Sequence, residues 1–381
     1  MDVHRYIAAL SEFIENRNFA GYDPYDALNS PVIRILTFGW KYGRIAWTQL
    51  MRRLPFNLRP LLLVPQEHNP KGLGLFLGGY VKLYKVNPHP AILEKVNYLL
   101  ELLAKLRSLG YSGSCWGYNF DWQSRAFFIP KNTPTVVNSS FIGHALLDTW
   151  ESTGEQRALD MAVSIKVFLL QDLYRKVEGD TFCFSYTPID HTAVHNANLL
   201  GASLLIRLSQ VTGEECLREA ALASLAYSMK YQHDDGTWYY AETAMQSWID
   251  SFHTGFNLEA IRRFLRAGVG QEYLSDYEKG VAYYAENFFL ADGTPKYYHD
   301  RVYPIDIHAL AQAVVFFAGE GEKYLELTER IMRWMLENMW DARGYFYSRK
   351  GRYLTNKIPY MRWGQAWAFH ALTEYVRMNA E

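Results

Sequence analysis

Apolar and polar positions follow the period of amphipathic helices along most of the chain, and the predicted helices come in pairs. The first helix of a pair is apolar and rich in small residues, as in NANLLGASLL, whereas the second is more charged, as in YLELTERIMRWML. The first is therefore expected to be buried on all sides and the second to face solvent. The predicted pairs are 72–86 with 89–109, 137–152 with 156–176, 192–212 with 214–232, 250–267 with 272–289, and 304–318 with 320–339.

Four of these pairs are followed by a segment in which Gly and Asp stand beside aromatic residues. The segments are GDTFCFSY (179–186), DDGTWYY (234–240), ADGTPKYY (291–298) and DARGYFY (341–347). Their glycines lie 57, 57 and 51 residues apart, and such a period indicates a repeated structural unit. Turn residues followed by aromatic residues predict a short turn or hairpin at the end of each unit.

The two helices at the ends of the chain lack a partner along the sequence. Helix 3–16 has no predecessor and helix 361–378 has no successor, so packing them together would close a ring of six helix pairs. We therefore predict an all-α fold, an (α/α)6 barrel (six-hairpin toroid) with short aromatic hairpin loops, as a single domain over residues 1–381. An open helical solenoid is the alternative, and the complementary end helices favour closure.

The composition and short motifs limit which partners the protein can bind and in which cellular compartment it is expected. Lys and Arg (39) balance Asp and Glu (40), so no overall positive field favours nucleic acid. The three cysteines have no CxxC or zinc-like spacing, the N-terminal segment lacks a signal-peptide pattern, and no apolar run reaches the roughly 18–20 residues of a membrane span. These features predict a cytoplasmic protein. His191 and His195 have the i, i+4 spacing of metal ligands, but HExxH and phosphate-binding motifs are missing, so we predict no metal and no cofactor.

Polar residues recur near the starts of the predicted inner helices, at intervals of 57, 58, 55 and 57 residues: Asn138, His195, His253, His308 and Gln365. In a closed ring, these positions converge on one end of the barrel axis. Asp250 and Asp306 are explained equally well as helix caps. Burying three imidazoles together is costly unless water or a ligand reaches them, so the histidines predict a polar cavity.

The loops after the outer helices are expected to cover the same end, and the longest, 111–134, is rich in aromatic residues. Aromatic rings can stack on sugars and guanidinium groups can bind them by paired hydrogen bonds, although the rings could equally be core residues. The candidate catalytic residues are Asp121, His195, Asp250, His253, Asp306 and His308. The candidate substrate-binding residues are Trp116, Tyr118, Trp122, Arg125, Asn138, His191, Asn196, Tyr240, Glu242, Trp248, Asn257, His299, Asp300, Arg362, Trp363 and Gln365.

Two kinds of reaction fit this set of residues. Glycoside hydrolysis needs two carboxyl groups beside the scissile bond, for which Asp190, Glu242 and Asp300 are further candidates. Abstraction of a proton next to a carbonyl or carboxylate, as in a uronate lyase or sugar epimerase, needs groups that titrate near neutrality and a cation, and histidine and arginine supply both. A glycan-binding protein without catalysis is the competing class, but it would need few titratable groups.

Three segments resemble the inner helices of the six-hairpin-toroid carbohydrate enzymes: HTAVHNANLLGASLLIRLSQVTGEE, WIDSFHTGFNLEAI and RWGQAWAFHALTEY. This group includes N-acylglucosamine 2-epimerase-like proteins, unsaturated glucuronyl hydrolases and the helical domain of glucuronyl C5-epimerases. A further block, CWGYNFDWQSRAFFIPKNTPTVVNSSFIGHALLD, resembles proteins encoded with bacterial exopolysaccharide genes. The resemblance implies a glycoside hydrolase-like enzyme of exopolysaccharide metabolism that acts on a uronate- or amino-sugar-containing oligosaccharide or polysaccharide. A lyase, an epimerase and a non-catalytic binding protein of polysaccharide assembly are the alternatives.

The segment 27–66 contains no Asp or Glu but six basic residues, with five aromatic residues among them: Arg34, Lys41, Arg44, Arg52, Arg53 and Arg59, and Phe38, Trp40, Tyr42, Trp47 and Phe56. Two interpretations stay open. The favoured one is a strap on the outside of the barrel, with its arginines paired to acidic outer helices. The other is a face that contacts a membrane surface peripherally.

Overall fold

Six helical segments form a closed inner ring in the computed structural model, which describes residues 2–124 and 127–380. The inner helices are α4 (Pro70–Val86), α6 (Val136–Thr153), α8 (His195–Thr212), α10 (Ser251–Arg266), α12 (Ile307–Ala318) and α14 (Trp367–Ala380), the last preceded by a π-helical turn over Met361–Ala366. Each contacts the next, and α14 contacts α4, which closes the ring. The all-α (α/α)6 barrel predicted from the sequence is confirmed.

Five outer helices follow their inner partners along the chain, and the sixth comes from the N-terminus. They are α5 (Pro90–Lys105), α7 (Gln156–Val167), α9 (Glu215–Met229), α11 (Leu274–Asn287), α13 (Leu325–Met339) and α1 (Val3–Glu15). Helix α1 packs on α14, as expected for the partner of the last inner helix. One hydrophobic core extends from Val3 to Val376 and joins both layers.

Small residues allow the inner helices to approach one another closely. A Cβ atom at Gly74 would lie 2.8 Å from the side chain of Ile142 on α6, and one at Gly79 would lie 2.6 Å from the ring of Phe369 on α14. Both distances are shorter than any ordinary contact, so these glycines set the spacing of α4 from its two neighbours. The apolar, glycine-rich pattern of the first helices is thus a packing requirement.

The aromatic turns have two forms. Strands β3 (Arg175–Glu178) and β4 (Thr181–Phe184) pair as an antiparallel hairpin, as do β6 (Trp340–Asp341) and β7 (Tyr345–Phe346). The other two turns make isolated bridges to the starts of inner helices, Val194 to Ala241 and Asp250 to Tyr298. The outer helix predicted to reach residue 176 ends instead at Val167, continues as a π-helical turn over Phe168–Asp172, and is followed by the first hairpin.

The remaining strands lie in the loops at the N-terminal ends of the inner helices. Strands β1 (Trp122–Gln123) and β2 (Phe128–Ile129) form a two-stranded sheet. Strands β5 (Ile305–Asp306), β8 (Arg349–Lys350) and β9 (Thr355–Asn356) form an antiparallel sheet in the order β5-β8-β9. These strands fix the loops at the N-terminal ends of the inner helices, where the site lies.

The basic N-terminal segment folds into a short 3-10 turn (Asp26–Asn29) and helices α2 (Pro31–Thr37) and α3 (Lys41–Arg53), with a small hydrophobic cluster of its own. Its position differs from the expected strap on the outer helices. Arg59 pairs with Asp26 of the same region at 2.6 Å, and α3 contacts β1 over the loop end of the barrel. No helix within residues 2–124 and 127–380 is long and apolar enough to cross a membrane.

Candidate functional site

The second residue of every inner helical segment faces the same cavity. These residues are Lys71, Val137, Asn196, Phe252, His308 and Arg362, and all six line it. Because the six helices converge on the barrel axis, one helical position repeated six times builds a common floor. Side-chain caps fix four of the starts, from Asn69, Thr135, Asp250 and Asp306. The cavity has a volume of about 330 Å³, which suits a small sugar unit.

Aromatic rings form the walls of the cavity. Tyr240 and Trp248 stack at 4.7 Å with planes 11° apart, and Tyr240 also lies 4.5 Å from the ring of His253. Tyr118 and Tyr186 also line the cavity, and their hydroxyl groups are 3.3 Å apart. Rings that carry polar groups at their edges can stack on a sugar and hydrogen-bond its hydroxyl groups.

Asp250 and His253 form a hydrogen-bonded pair at the start of α10. Oδ1 of Asp250 accepts from the backbone N–H of His253 at 3.0 Å, and Oδ2 accepts from Nδ1 of the same residue at 2.7 Å. Oδ2 also accepts from Nε1 of Trp248 at 3.0 Å. Because a carboxylate oxygen only accepts, the neutral tautomer that fits this contact has its proton on Nδ1 and leaves Nε2 as the acceptor nitrogen. Nothing among the described residues pairs with Nε2, and the side chain lines the cavity.

His308 is a second imidazole on the cavity floor. Its side chain is only 1% exposed, and neither ring nitrogen has a hydrogen-bond partner among the described residues. The ring of Phe252 lies between the two histidines, 4.2 Å from His253 and 4.6 Å from His308. Burial, together with the nearby charges of Lys71 and Arg362, lowers the pKa of His308 well below its ordinary value. His308 is therefore a neutral imidazole, which can donate one hydrogen bond and accept another.

Lys71 is a buried amine without a carboxylate partner among the described residues. It is 3% exposed and lines the cavity, and its Nζ lies 4.2 Å from the ring centroid of Phe141 and 5.3 Å from that of Phe256. No carboxylate among the described residues forms an ion pair with it. Burial and the charge of Arg362 lower its pKa well below the ordinary value. An amine held this way is suited to a ligand that brings negative charge.

Arg362 differs from Lys71 because it is already neutralised. Its Nε and Nη2 donate to the two carboxylate oxygens of Asp23 at 2.6 and 2.8 Å, and both residues are 3% exposed. Burial opposes the charge, yet the Asp23 carboxylate raises the pKa of Arg362 above its ordinary value. This pair ties the N-terminal segment to the last inner helical segment and presents the guanidinium to the cavity.

The structure brings ten of the predicted site residues together around this cavity: Tyr118, Trp122, Asn196, Tyr240, Trp248, Asp250, His253, His308, Arg362 and Trp363. Asn257 lies in a small recess beside it, shared with Asp250 and His253, and its Oδ1 is buried without a partner.

Five predicted residues are buried away from the cavity. Trp116 donates to the carbonyl of Leu103, and Gln365 bonds both backbone groups of Phe346. Asp306 does not line the cavity; it accepts from Trp363, Arg349 and the backbone of His308. Asn138 is buried with neither side-chain polar atom paired, and His195 packs on Tyr231 in the turn after α9.

The separation of His195 from His308 has a simple geometric cause. His195 is the first residue of α8, whereas His308 is the second residue of α12. One residue corresponds to a rotation of about 100° around a helix, which turns His195 from the axis toward Ser228 on the outer helix. Burial lowers the pKa of His195 to about 4. A regular interval in sequence therefore did not guarantee a common face.

The other predicted residues lie in peripheral loops. Asp121 accepts from the backbone of Lys131, Glu242 accepts from Tyr227 and pairs with Lys176, and Asp300 pairs with Arg301. The ring of His191 contacts that of Tyr174 at an angle of 41°, and His299 is half-buried beside Tyr283. Asp190 accepts from Thr187 and Thr192 in its own loop. Arg125 lies outside the described residues.

Sequence reasoning missed two basic residues that line the cavity, Lys71 and Arg52. It also missed Asp23, which pairs with the cavity residue Arg362. A signal for Lys71 was present, because a lysine at the start of an apolar, glycine-rich helix has no solvated side on which to lie. Arg52 and Asp23 gave no such signal, since they come from the N-terminal segment and meet the cavity only through tertiary packing. Among the described residues, no group of three His, Cys, Asp or Glu is placed to hold a metal.

No family model matches the sequence, and no curated protein matches it. Solved structures are similar. Cellobiose 2-epimerase from Bacillus thermoamylovorans has a TM-score of 0.64 at 15% identity, covering 82% of this chain and 88% of that one. The GH76 α-mannanase from Bacteroides thetaiotaomicron has a TM-score of 0.63 at 12% sequence identity, covering 84% of this chain and 88% of that one. An unsaturated glucuronyl hydrolase specific for heparin has a TM-score of 0.60 at 12% sequence identity, covering 83% of this chain and 88% of that one. The resemblance to six-hairpin-toroid enzymes is thus confirmed at the level of the fold.

Proposed function

We propose that the cavity catalyses proton transfer at a sugar carbon next to a carbonyl or carboxylate group, as a sugar epimerase or uronate lyase does. The observation that carries the proposal is the pair of imidazoles, His253 and His308, on one cavity floor with the unpaired Lys71. Nε2 of His253 would take the proton, with Asp250 holding the tautomer. The proton held at Nε2 would then return to the sugar carbon or pass to solvent, and the neutral His308 would hydrogen-bond the substrate carbonyl or a hydroxyl group.

Removal of such a proton leaves an enolate-like anion that needs stabilisation. Arg362 provides positive charge at the cavity floor, and Lys71, which has no carboxylate partner among the described residues, would take up a proton as an anion binds or develops beside it. In a site sheltered from water, a preorganised cation stabilises developing charge more strongly than it would in solvent. The same amine would favour substrates that carry a carboxylate, in agreement with the uronate-containing glycan that the sequence resemblance implies.

Glycoside hydrolysis is less well supported by the geometry. It needs two carboxyl groups facing the scissile bond, and among the described residues Asp250 is the one carboxylate that lines the cavity. Asp250 already accepts hydrogen bonds from His253 and Trp248. The similar structures include an epimerase and two hydrolases, so the fold does not decide between these reactions. We place the substrate in exopolysaccharide metabolism, as a uronate- or amino-sugar-containing glycan.

The test is incubation of the protein with uronate-containing and neutral oligosaccharides in D2O, followed by NMR and mass spectrometry. We expect deuterium at the carbon next to the carbonyl or carboxylate, or a new double bond. The variant His253→Ala should lose this activity, and His191→Ala, on the outer surface, should keep it. A cleaved sugar with neither change would support hydrolysis instead. Tight binding of an unchanged sugar would make the cavity a binding site only.

A further inference from the structure

The N-terminal segment exposes an unusual amount of apolar surface. Over residues 35–63, nine large hydrophobic side chains are exposed, and Phe38 reaches 89%. We call these nine residues the apolar face: Ile35, Leu36, Phe38, Trp40, Tyr42, Leu50, Phe56, Leu61 and Leu63. Helices α2 and α3, which carry four of them, contact each other, and the rings of Trp40 and Tyr42 are 5.8 Å apart. Concentrated apolar exposure of this kind marks an interaction surface.

The charges beside the apolar face have a single sign. Arg34, Lys41 and Arg53 are exposed, and no Asp or Glu occurs between Ala27 and Gln66. The segment's internal ion pair is made by Arg59 with Asp26, outside this acid-free stretch. The exposed cations therefore lack acidic neighbours in the segment and remain available to an anionic partner.

We propose that the apolar face docks on an anionic phospholipid surface. Exposed Trp and Tyr rings suit the headgroup region of a bilayer, aliphatic side chains can enter the acyl boundary, and cations attract anionic headgroups. A second copy of the chain fits less well, because a two-fold contact would bring together two faces that both carry positive charge. The positive charge of the segment thus favours an anionic lipid surface over a second copy of the chain.

The position of the face relative to the cavity gives the docking a consequence. Helix α3 carries exposed Leu50 and Arg53, and between them Arg52 reaches the cavity wall, 5.1 Å from the ring of Tyr25. Docking through α2 and α3 would therefore hold the cavity beside the lipid surface. Glycans attached to a lipid anchor would be presented to it at short range. Docking of this kind fixes where the protein acts, whichever reaction the cavity catalyses.

The test is co-sedimentation of the full chain with vesicles of phosphatidylcholine alone or containing roughly one-third phosphatidylserine. We expect binding to the anionic vesicles that weakens as salt rises. The double variant Phe38→Ser/Trp40→Ser should bind at least about 10-fold more weakly. The control is Leu109→Ser, whose side chain is 88% exposed but lies outside the acid-free segment.

Melting curves should coincide for the wild type and these variants, because the changed side chains contact little of the core. If the double variant does not fold, Phe56→Ser, at a position 57% exposed, gives the same comparison. Absence of vesicle binding by the wild type overturns the proposal. A dimer by light scattering that the double variant dissociates, without any lipid binding, would overturn it in favour of self-association.

Discussion

Replacing Asp250 with Asn changes one atom of the carboxylate and tests the proposed role of His253. In the wild type, Oδ2 of Asp250 accepts from Nδ1 of His253 at 2.7 Å and from Nε1 of Trp248 at 3.0 Å. If the Asn oxygen keeps the helix-capping position of Oδ1, its NH2 group replaces Oδ2. That group donates to Nδ1 of His253, so the ring proton moves to Nε2, the nitrogen without a partner among the described residues.

The expected magnitudes follow from these contacts. A general base that holds its proton on the wrong nitrogen cannot accept another, so the rate of proton transfer should fall by about 10²–10⁴-fold. The NH2 group also meets the N–H of Trp248, which leaves a buried donor unpaired and costs about 1–3 kcal/mol of unfolding free energy. The helix cap from Oδ1 to the backbone of His253 is retained, so the fold should survive.

Two measurements check the prediction independently. The exchange of substrate protons for deuterium is followed by NMR for the wild type and Asp250→Asn, and the tautomer of His253 is read from the 15N shifts of labelled histidine. The matched control is Asp121→Asn, which alters a loop carboxylate that accepts from Lys131. An unchanged tautomer and an unchanged exchange rate in Asp250→Asn would refute the assignment of His253 as an oriented base.

Two further predictions concern buried titratable groups. Lys71→Met should lower turnover at least about 10²-fold. The unfolding free energy at pH 7 should stay the same or rise, because the substitution removes an unpaired buried amine. Loss of stability with full turnover would contradict this prediction. Burial lowers the pKa of His195 to about 4, below its unfolded value, so the unfolded chain binds the proton first as the pH falls. Its contribution to stability is present above about pH 6.5 and is lost toward pH 4, by up to about 1.4 kcal/mol per pH unit. His195→Gln should reduce the slope of stability against pH in denaturant titrations by that amount, and an unchanged slope would show that His195 is accessible to protons.

The helical pattern determined the barrel because it depends on local physics repeated many times. Apolar first helices, charged second helices and the turns between them each reflect burial and backbone preferences that a short segment already contains. Packing of the unpaired first and last helices was inferred from the sequence, and the structure shows α1 on α14. The polar residues that recur near the starts of the inner helices also indicated the end of the barrel at which Asp250, His253 and His308 lie. They did so because the inner helices repeat at nearly constant intervals.

Which polar residue faces the axis was decided by helix phase. His195 and His308 lie at similar places in their repeats, but the start of α8 differs by one residue from that of α12, and a rotation of about 100° separates a core residue from a cavity residue. Element boundaries depend on caps and on bridges to distant turns, such as Val194 to Ala241, and these are tertiary contacts.

The charges of the cavity depended even more on tertiary structure. Asp23 and Arg362 meet across 339 positions of sequence, and Arg52 reaches the cavity from a segment that has no counterpart in the helical repeat. Hydrophobic periodicity reports the local environment of each residue, so it determined the layers of this protein. The choice of charged partners across the chain carries no period, and only the closed ring, together with the N-terminal segment that folds over its mouth, brought them together.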